Sequence, residues 1–134
     1  MEDLNIESTE NTPGINFNYK EGELVITGDA RPENAQKFFK PLINWLDEYY
    51  KYLFWVSDQE TSITPVKFHF KLEYFNSTSA KHLLDIILKI KESNKEKELY
   101  EVIWWHDEFD ADIKESGEEF ADLAGMDFTF NQND

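Results

Sequence analysis

Residues Val66 to Leu88 read VKFHFKLEYFNSTSAKHLLDIIL. Two periods meet in this stretch. Up to Tyr74 the residues alternate: Val66, Phe68, Phe70, Leu72 and Tyr74 fall on one face, Lys67, His69, Lys71 and Glu73 on the other. That period of two predicts a strand with one buried face. From Ala80 the spacing turns helical through Leu83, Leu84, Ile87 and Leu88. Between the two periods lies Asn76-Ser77-Thr78-Ser79. A strand that passes through a polar turn into a helix is half of a β-α-β unit, and the flanking sequence supplies more of them.

Upstream, Ile15, Phe17 and Tyr19 alternate, Lys20 to Glu23 is a turn, and Leu24 to Thr27 is the returning strand of a hairpin, ended by Gly28-Asp29. Pro32 suits the first position of a helix. Ala35, Phe38, Phe39, Leu42, Leu46, Tyr49, Tyr50 and Leu53 form its apolar face, with a kink or break expected at Pro41 and a polar loop over residues 57–65. Downstream, Lys89 to Lys97 reads as a basic helix end and loop, Glu101 to Trp105 as a buried strand, and Asp110 to Leu123 as a helix capped by Gly125. Met126 to Phe130 is a final strand. Residues 1–10 are polar and read as a flexible lead with a short strand at Leu4 to Ile6. The expected fold class is α/β, a single domain over 1–134: a mixed, mostly parallel sheet with an N-terminal hairpin at or near one edge and three helices.

The 134 residues are 40% hydrophobic and 16% aromatic, enough for a packed core without staples. Acidic residues outnumber basic ones 28 to 13, for a net charge of −15. Such a surface repels phosphate backbones and anionic bilayers, so neither nucleic acid nor membrane is an expected partner. No cysteine is present, which removes disulfides, thiolate metal sites and cysteine nucleophiles. MEDLNIESTENTP lacks the basic and apolar regions of a secretion signal, so the cytoplasm is the expected location.

The hydroxyl-rich turn is the most informative constellation. One Asn, Ser or Thr suffices to cap a helix, and capping is the plainer reading of this stretch; four stand in a row, and the excess also suggests a modifiable or ligand-facing site. A helix N-terminus at the carboxyl end of a strand also receives phosphate readily. Trp104-Trp105-His106-Asp107-Glu108, with Asp110 and Asp112, gathers carboxylates beside a histidine. It has neither calcium-loop nor zinc-hydrolase spacing, so these side chains are expected to be exposed and to hold no metal. His69 and His82 show no acid or nucleophile partner by spacing, and no glycine-rich phosphate loop exists.

The order TPGINF (Thr12 to Phe17), GDARPEN (Gly28 to Asn34), FFKPLINWL (Phe38 to Leu46), LEYFNSTSAK (Leu72 to Lys81), WWHDE (Trp104 to Glu108) and EEFADL (Glu118 to Leu123) resembles the SiaC-type regulatory phosphoproteins of bacteria over nearly the whole chain. The resemblance implies a STAS-like fold, similar to anti-sigma-factor antagonists, and a non-catalytic partner switch without cofactor. It implies a protein kinase that phosphorylates the hydroxyl after the turn asparagine and a PP2C-type phosphatase that removes it. The unphosphorylated form would bind an effector, a diguanylate cyclase, linking it to cyclic-di-GMP signalling and biofilm formation. The matching acceptor is Ser77. The family pattern has Thr followed by two Ser, whereas this chain reads Ser77-Thr78-Ser79, so Thr78 is the alternative. Asn76, Ser79 and Lys81 would form the partner surface around it. The segment Tyr52 to Thr64 is longer than in the family pattern. Two rival readings are a small metal-dependent enzyme using the acidic segment after Trp105 and a STAS-like domain binding a small ligand at the Ser77 turn.

Overall fold

The computed structural model describes residues 1–59 and 63–134. Strands β1 (Leu4–Ile6), β2 (Gly14–Asn18) and β3 (Glu23–Ala30) are followed by α1 (Ala35–Gln59), β4 (Val66–Phe75), α2 (Ser77–Ser93), β5 (Tyr100–His106), α3 (Ala111–Ala124) and β6 (Thr129–Gln132). The six strands form one sheet in the order β1-β2-β3-β4-β5-β6. β1, β2 and β3 pair antiparallel; β3 through β6 pair parallel. The hairpin lies one strand from the edge, as its sequence implied.

Strand order follows chain order without reversal. Each right-handed crossover therefore steps the same way and lays its helix on the same face. The core fills that side, where an aromatic chain crosses the sheet. Phe17 meets Phe68 at 5.5 Å, Phe68 stacks on Phe70 at 4.7 Å, Phe70 on Trp104 at 5.5 Å, and Trp104 meets Phe120 of α3 at 5.6 Å. Such pairs add about 0.5–1.5 kcal/mol each beyond their burial. Burial raises the phenols of Tyr49 and Tyr100 above their ordinary pKa; Tyr49 donates its proton to the Tyr19 carbonyl at 2.8 Å.

Among the described residues no helix covers the other face of the sheet, which is unusual for parallel strands. Its side chains satisfy one another. Trp105 Nε1 donates to His69 Nδ1 at 3.0 Å, which leaves the imidazole proton on Nε2 to donate to Glu23 Oε2 at 2.6 Å. Lys71 Nζ lies 4.4 Å above the Trp105 ring.

Several boundaries differ from the sequence reading. Pro32 precedes α1 rather than starting it, because Asn34 is the capping residue: its side chain accepts from Lys37 N–H at 3.1 Å. The break anticipated at Pro41 does not occur. Pro41 sits on the exposed side of α1, which continues to Gln59. The loop foreseen from residue 57 thus begins later; Ser57 is buried in the helix, and Lys97 Nζ donates to its carbonyl at 3.2 Å. Of that loop, residues 60–62 lie outside the described residues. β3 runs past Gly28-Asp29 to Ala30, α2 starts at Ser77 rather than Ala80 and runs to Ser93, and β6 starts at Thr129. Near the N-terminus, Trp45 Nε1 donates to the Glu2 carbonyl at 2.7 Å and Tyr19 N–H to Asp3 at 3.1 Å.

The largest difference is a β-bulge. Gly28 lies opposite Leu72, but Asp29 lies opposite Tyr74, so Glu73 is an extra residue in β4. Gly28 takes φ 89°, a conformation that glycine adopts without penalty. Past the bulge the faces exchange. Phe75 packs on Phe120 at 5.7 Å, and Tyr74, expected with the core residues, is instead 48% exposed.

Gly117 is where α3 meets the sheet. A Cβ built there would lie 2.5–2.7 Å from the Trp104 indole, which is fully buried and donates Nε1–H to the Ile113 carbonyl at 2.9 Å. Neither group has room to move. Helix propensity alone favours alanine by ~1 kcal/mol, yet Gly117→Ala should destabilise the protein by about 1–3 kcal/mol through overpacking. Urea denaturation followed by tryptophan fluorescence checks this; a stability equal to or above wild type would contradict it.

Candidate functional site

The turn after β4 is fixed by its first residue. Asn76 is extended (φ −87°, ψ 173°), and its side chain accepts from Ser79 N–H at 2.9 Å. Its own N–H donates to the Ala30 carbonyl at 3.1 Å, and its carbonyl accepts from Ala80 N–H at 2.9 Å. Asn76 alone therefore caps α2. Ser77, Thr78 and Ser79 are the first three helical residues, and none of them is needed as a cap.

The three hydroxyls are not equivalent. Ser77 and Thr78 are exposed, at the positive end of the helix dipole. Ser79, expected beside them on the partner surface, is fully buried. Its hydroxyl has no hydrogen-bond partner among the described residues. Position three of a helix following a strand turns back toward the sheet, so Ser79 belongs to the packing under the turn. Lys81 is exposed one turn beyond Ser77.

Two further residues border the turn that sequence reasoning missed. Arg31 follows Ala30, the partner of Phe75 across β3 and β4. Its guanidinium stands 5.8 Å from the Tyr74 ring centroid and 3.7 Å from the Asp29 carboxylate. Only the GDARPEN motif hinted at Arg31; Tyr74 was hidden by the bulge, which no residue type announces. An open groove of about 950 Å³ runs past the ends of these strands, lined by Glu10, Asp29, Glu73, Asp107 and Asp110, with Lys71 the basic residue among its lining. An anionic small ligand would meet repulsion there. The strand order also lacks the reversal at which open α/β sheets form a ligand crevice.

The remaining candidates have structural partners. Asp107 accepts from Asn133 Nδ2 at 2.8 Å. Asp110, expected to be exposed, is half-buried because it caps α3, accepting from Ile113 N–H at 3.1 Å. Glu108 and Asp112 are exposed. Among the described residues, no three His, Asp or Glu side chains converge as metal ligands. His69 does have an acid partner, Glu23, brought by the sheet from 46 positions away. His82 stacks on Phe39 at 5.3 Å. No helix among the described residues is long and apolar enough to cross a membrane.

Comparison with known proteins bears on this arrangement. The family model for SiaC family regulatory phosphoproteins matches residues 6–133. An uncharacterized protein of Pseudomonas aeruginosa strain UCBPP-PA14 is 27% identical over 134 residues, covering all of this chain and 99% of its own. The crystal structure of apo-SiaC from Pseudomonas aeruginosa superposes with a TM-score of 0.81 at 26% identity, covering 99% of this chain and 100% of that one. The crystal structure of the diguanylate cyclase SiaD in complex with its activator SiaC, from the same species, gives 0.83 at 25% identity, covering 98% and 100%. With the match spanning β2 to β6 and the hydroxyl-bearing turn, the chain belongs to the SiaC family of regulatory phosphoproteins.

Proposed function

We propose that this chain is a non-catalytic partner switch of the cytoplasm, phosphorylated on Ser77 by a protein kinase and reset by a PP2C-type phosphatase. In its unphosphorylated form it binds and activates a diguanylate cyclase, and so acts on cyclic-di-GMP signalling. The carrying observation is the exposed pair Ser77 and Thr78 on a turn already capped by Asn76. Because capping does not use these hydroxyls, a kinase can modify one without removing a structural bond. The similarity to the SiaC partner of the cyclase SiaD supports the effector assignment.

The sign of the switch follows from magnitudes. Phosphate adds about −1.5 to −2 charges. At a helix N-terminus negative charge is favourable by roughly 0.3–1 kcal/mol, small against a domain stability of ~5–15 kcal/mol. Phosphorylation therefore leaves the fold standing and acts on what docks against it. A partner packed over the turn has to desolvate a dianion, and each ~1.4 kcal/mol of that cost lowers affinity tenfold.

The test is phosphosite mapping of the protein from its native host, with pull-down of the effector. Ser77→Ala should lose phosphate and bind the effector constitutively, while Ser77→Asp should bind it more weakly. Ser79→Ala should leave phosphate incorporation intact, since that hydroxyl is buried. Loss of phosphate with Thr78→Ala but not Ser77→Ala moves the acceptor by one residue; no phosphate on either overturns the switch.

Stability separates cap from acceptor. Asn76→Ala should cost ~0.5–2 kcal/mol, whereas Ser77→Ala should stay within ~0.5 kcal/mol of wild type. Thermal melting of the two variants side by side checks the contrast, and a larger loss for Ser77→Ala would contradict it.

A further inference from the structure

A phosphate on Ser77 would add about −1.5 to −2 charges to a chain that already carries −15. Unpaired, it would be repelled. The chain has a single arginine, Arg31, and the sheet brings it to this turn. Ala30 lies opposite Phe75 and accepts from Asn76 N–H at 3.1 Å. The next residues along the two segments, Arg31 and Asn76, are thus neighbours, and Ser77 is one step further. The Arg31 side chain is 44% exposed and loosely held. Its 3.7 Å approach to Asp29 is too long for a hydrogen bond, and its contact with Tyr74 is a 5.8 Å approach to the ring centroid.

We propose that Arg31 is the residue that receives the phosphoryl group on Ser77, leaving Asp29 and Tyr74 to pair with it through two parallel N–H···O bonds. The assignment rests on Ser77 as the acceptor. Three arguments carry it. The phosphate brings about −1.5 to −2 charges where Asp29 offers one, so the guanidinium exchanges a weaker anion for a stronger one. The planar fork matches two phosphate oxygens at once, a geometry the Asp29 contact does not reach. The other flanking cation, Lys81, stands four residues beyond Ser77 on the same face of α2. It is a point charge on a flexible stem, which neutralises without orienting. In this exchange the Tyr74 ring and the Asp29 carboxylate are uncovered together. The surface beside the turn then changes at three residues, not one, and a partner that had met Arg31 over Tyr74 meets bare acid and ring.

The experiment installs phosphoserine at position 77 of the full chain during translation and follows its second ionisation by phosphorus NMR. An opposite charge close to a phosphate favours the dianion. The wild-type chain should therefore titrate lower than Arg31→Gln by roughly half a unit or more, Arg31→Lys should fall between them, and Lys81→Gln should shift the titration less than Arg31→Gln. A titration unmoved by Arg31→Gln, or moved more by Lys81→Gln, overturns the assignment. Because the phosphate is installed chemically defined at Ser77, this readout does not depend on the kinase. Mapping that finds phosphate only on Thr78 in the native host would overturn the acceptor, while the NMR result would still decide whether Arg31 pairs with a phosphate at 77.

Discussion

Side chains of a strand alternate so strictly that one added residue sends every later one to the opposite face. β4 contains such an addition at Glu73. Without it, Phe75 would point away from the helices, and Tyr74 would enter the space that Phe120 and Ala30 now enclose. With it, Phe75 closes the core against α3, Tyr74 emerges beneath Arg31, and Asn76 arrives with its N–H aimed at the Ala30 carbonyl. The cap of α2 depends on that last bond, because it holds Asn76 extended while its side chain reaches Ser79. Bulges recur beside functional sites for this reason: they re-aim the end of a strand while the rest of the ladder stays paired.

The cap divides labour within the turn. Asn76 carries the structural load and Ser79 lies buried beneath it, which frees Ser77 and Thr78 to change chemically. A regulatory site needs this separation. If the modified hydroxyl were also the cap, adding phosphate would loosen the helix that presents it, and the signal would be mixed with a loss of stability.

The alternation in VKFHFKLEYF and the periodic faces of the three helices were legible because each rests on burial of one side. So was the importance of Asn76 to Ser79. What was not legible depends on contacts between distant segments. The bulge is a relation between Gly28 and Glu73, not a property of either. The partners of His69 come from Glu23 and Trp105, one strand away on each side. The start of α2 was hidden because Ser, Thr and Ser are weak helix formers, and only the Asn76 cap identifies them as the first turn. The end of α1 was hidden because Ser57, Asp58 and Gln59 look like loop, yet Ser57 is buried and Lys97 serves its carbonyl. The acidic run after Trp105 read as a solvated loop, which hid that Asp110 is a helix cap and that Asp107 holds Asn133.

The strand order has a bearing on how the chain reaches this state. In β1-β2-β3-β4-β5-β6 every ladder joins strands consecutive in the chain. Closing each ladder requires bridging one turn or one helix, never a longer detour, and the entropy of loop closure stays small at every step. Short sequence separations between paired segments speed folding. A chain emerging from the ribosome can add each helix–strand unit to a sheet already begun, without waiting for a distant strand to be made. The growing edge is then β3, β4 and β5 in turn, and it ends at β6, four residues long, where a short last strand leaves little edge for a second chain to pair with.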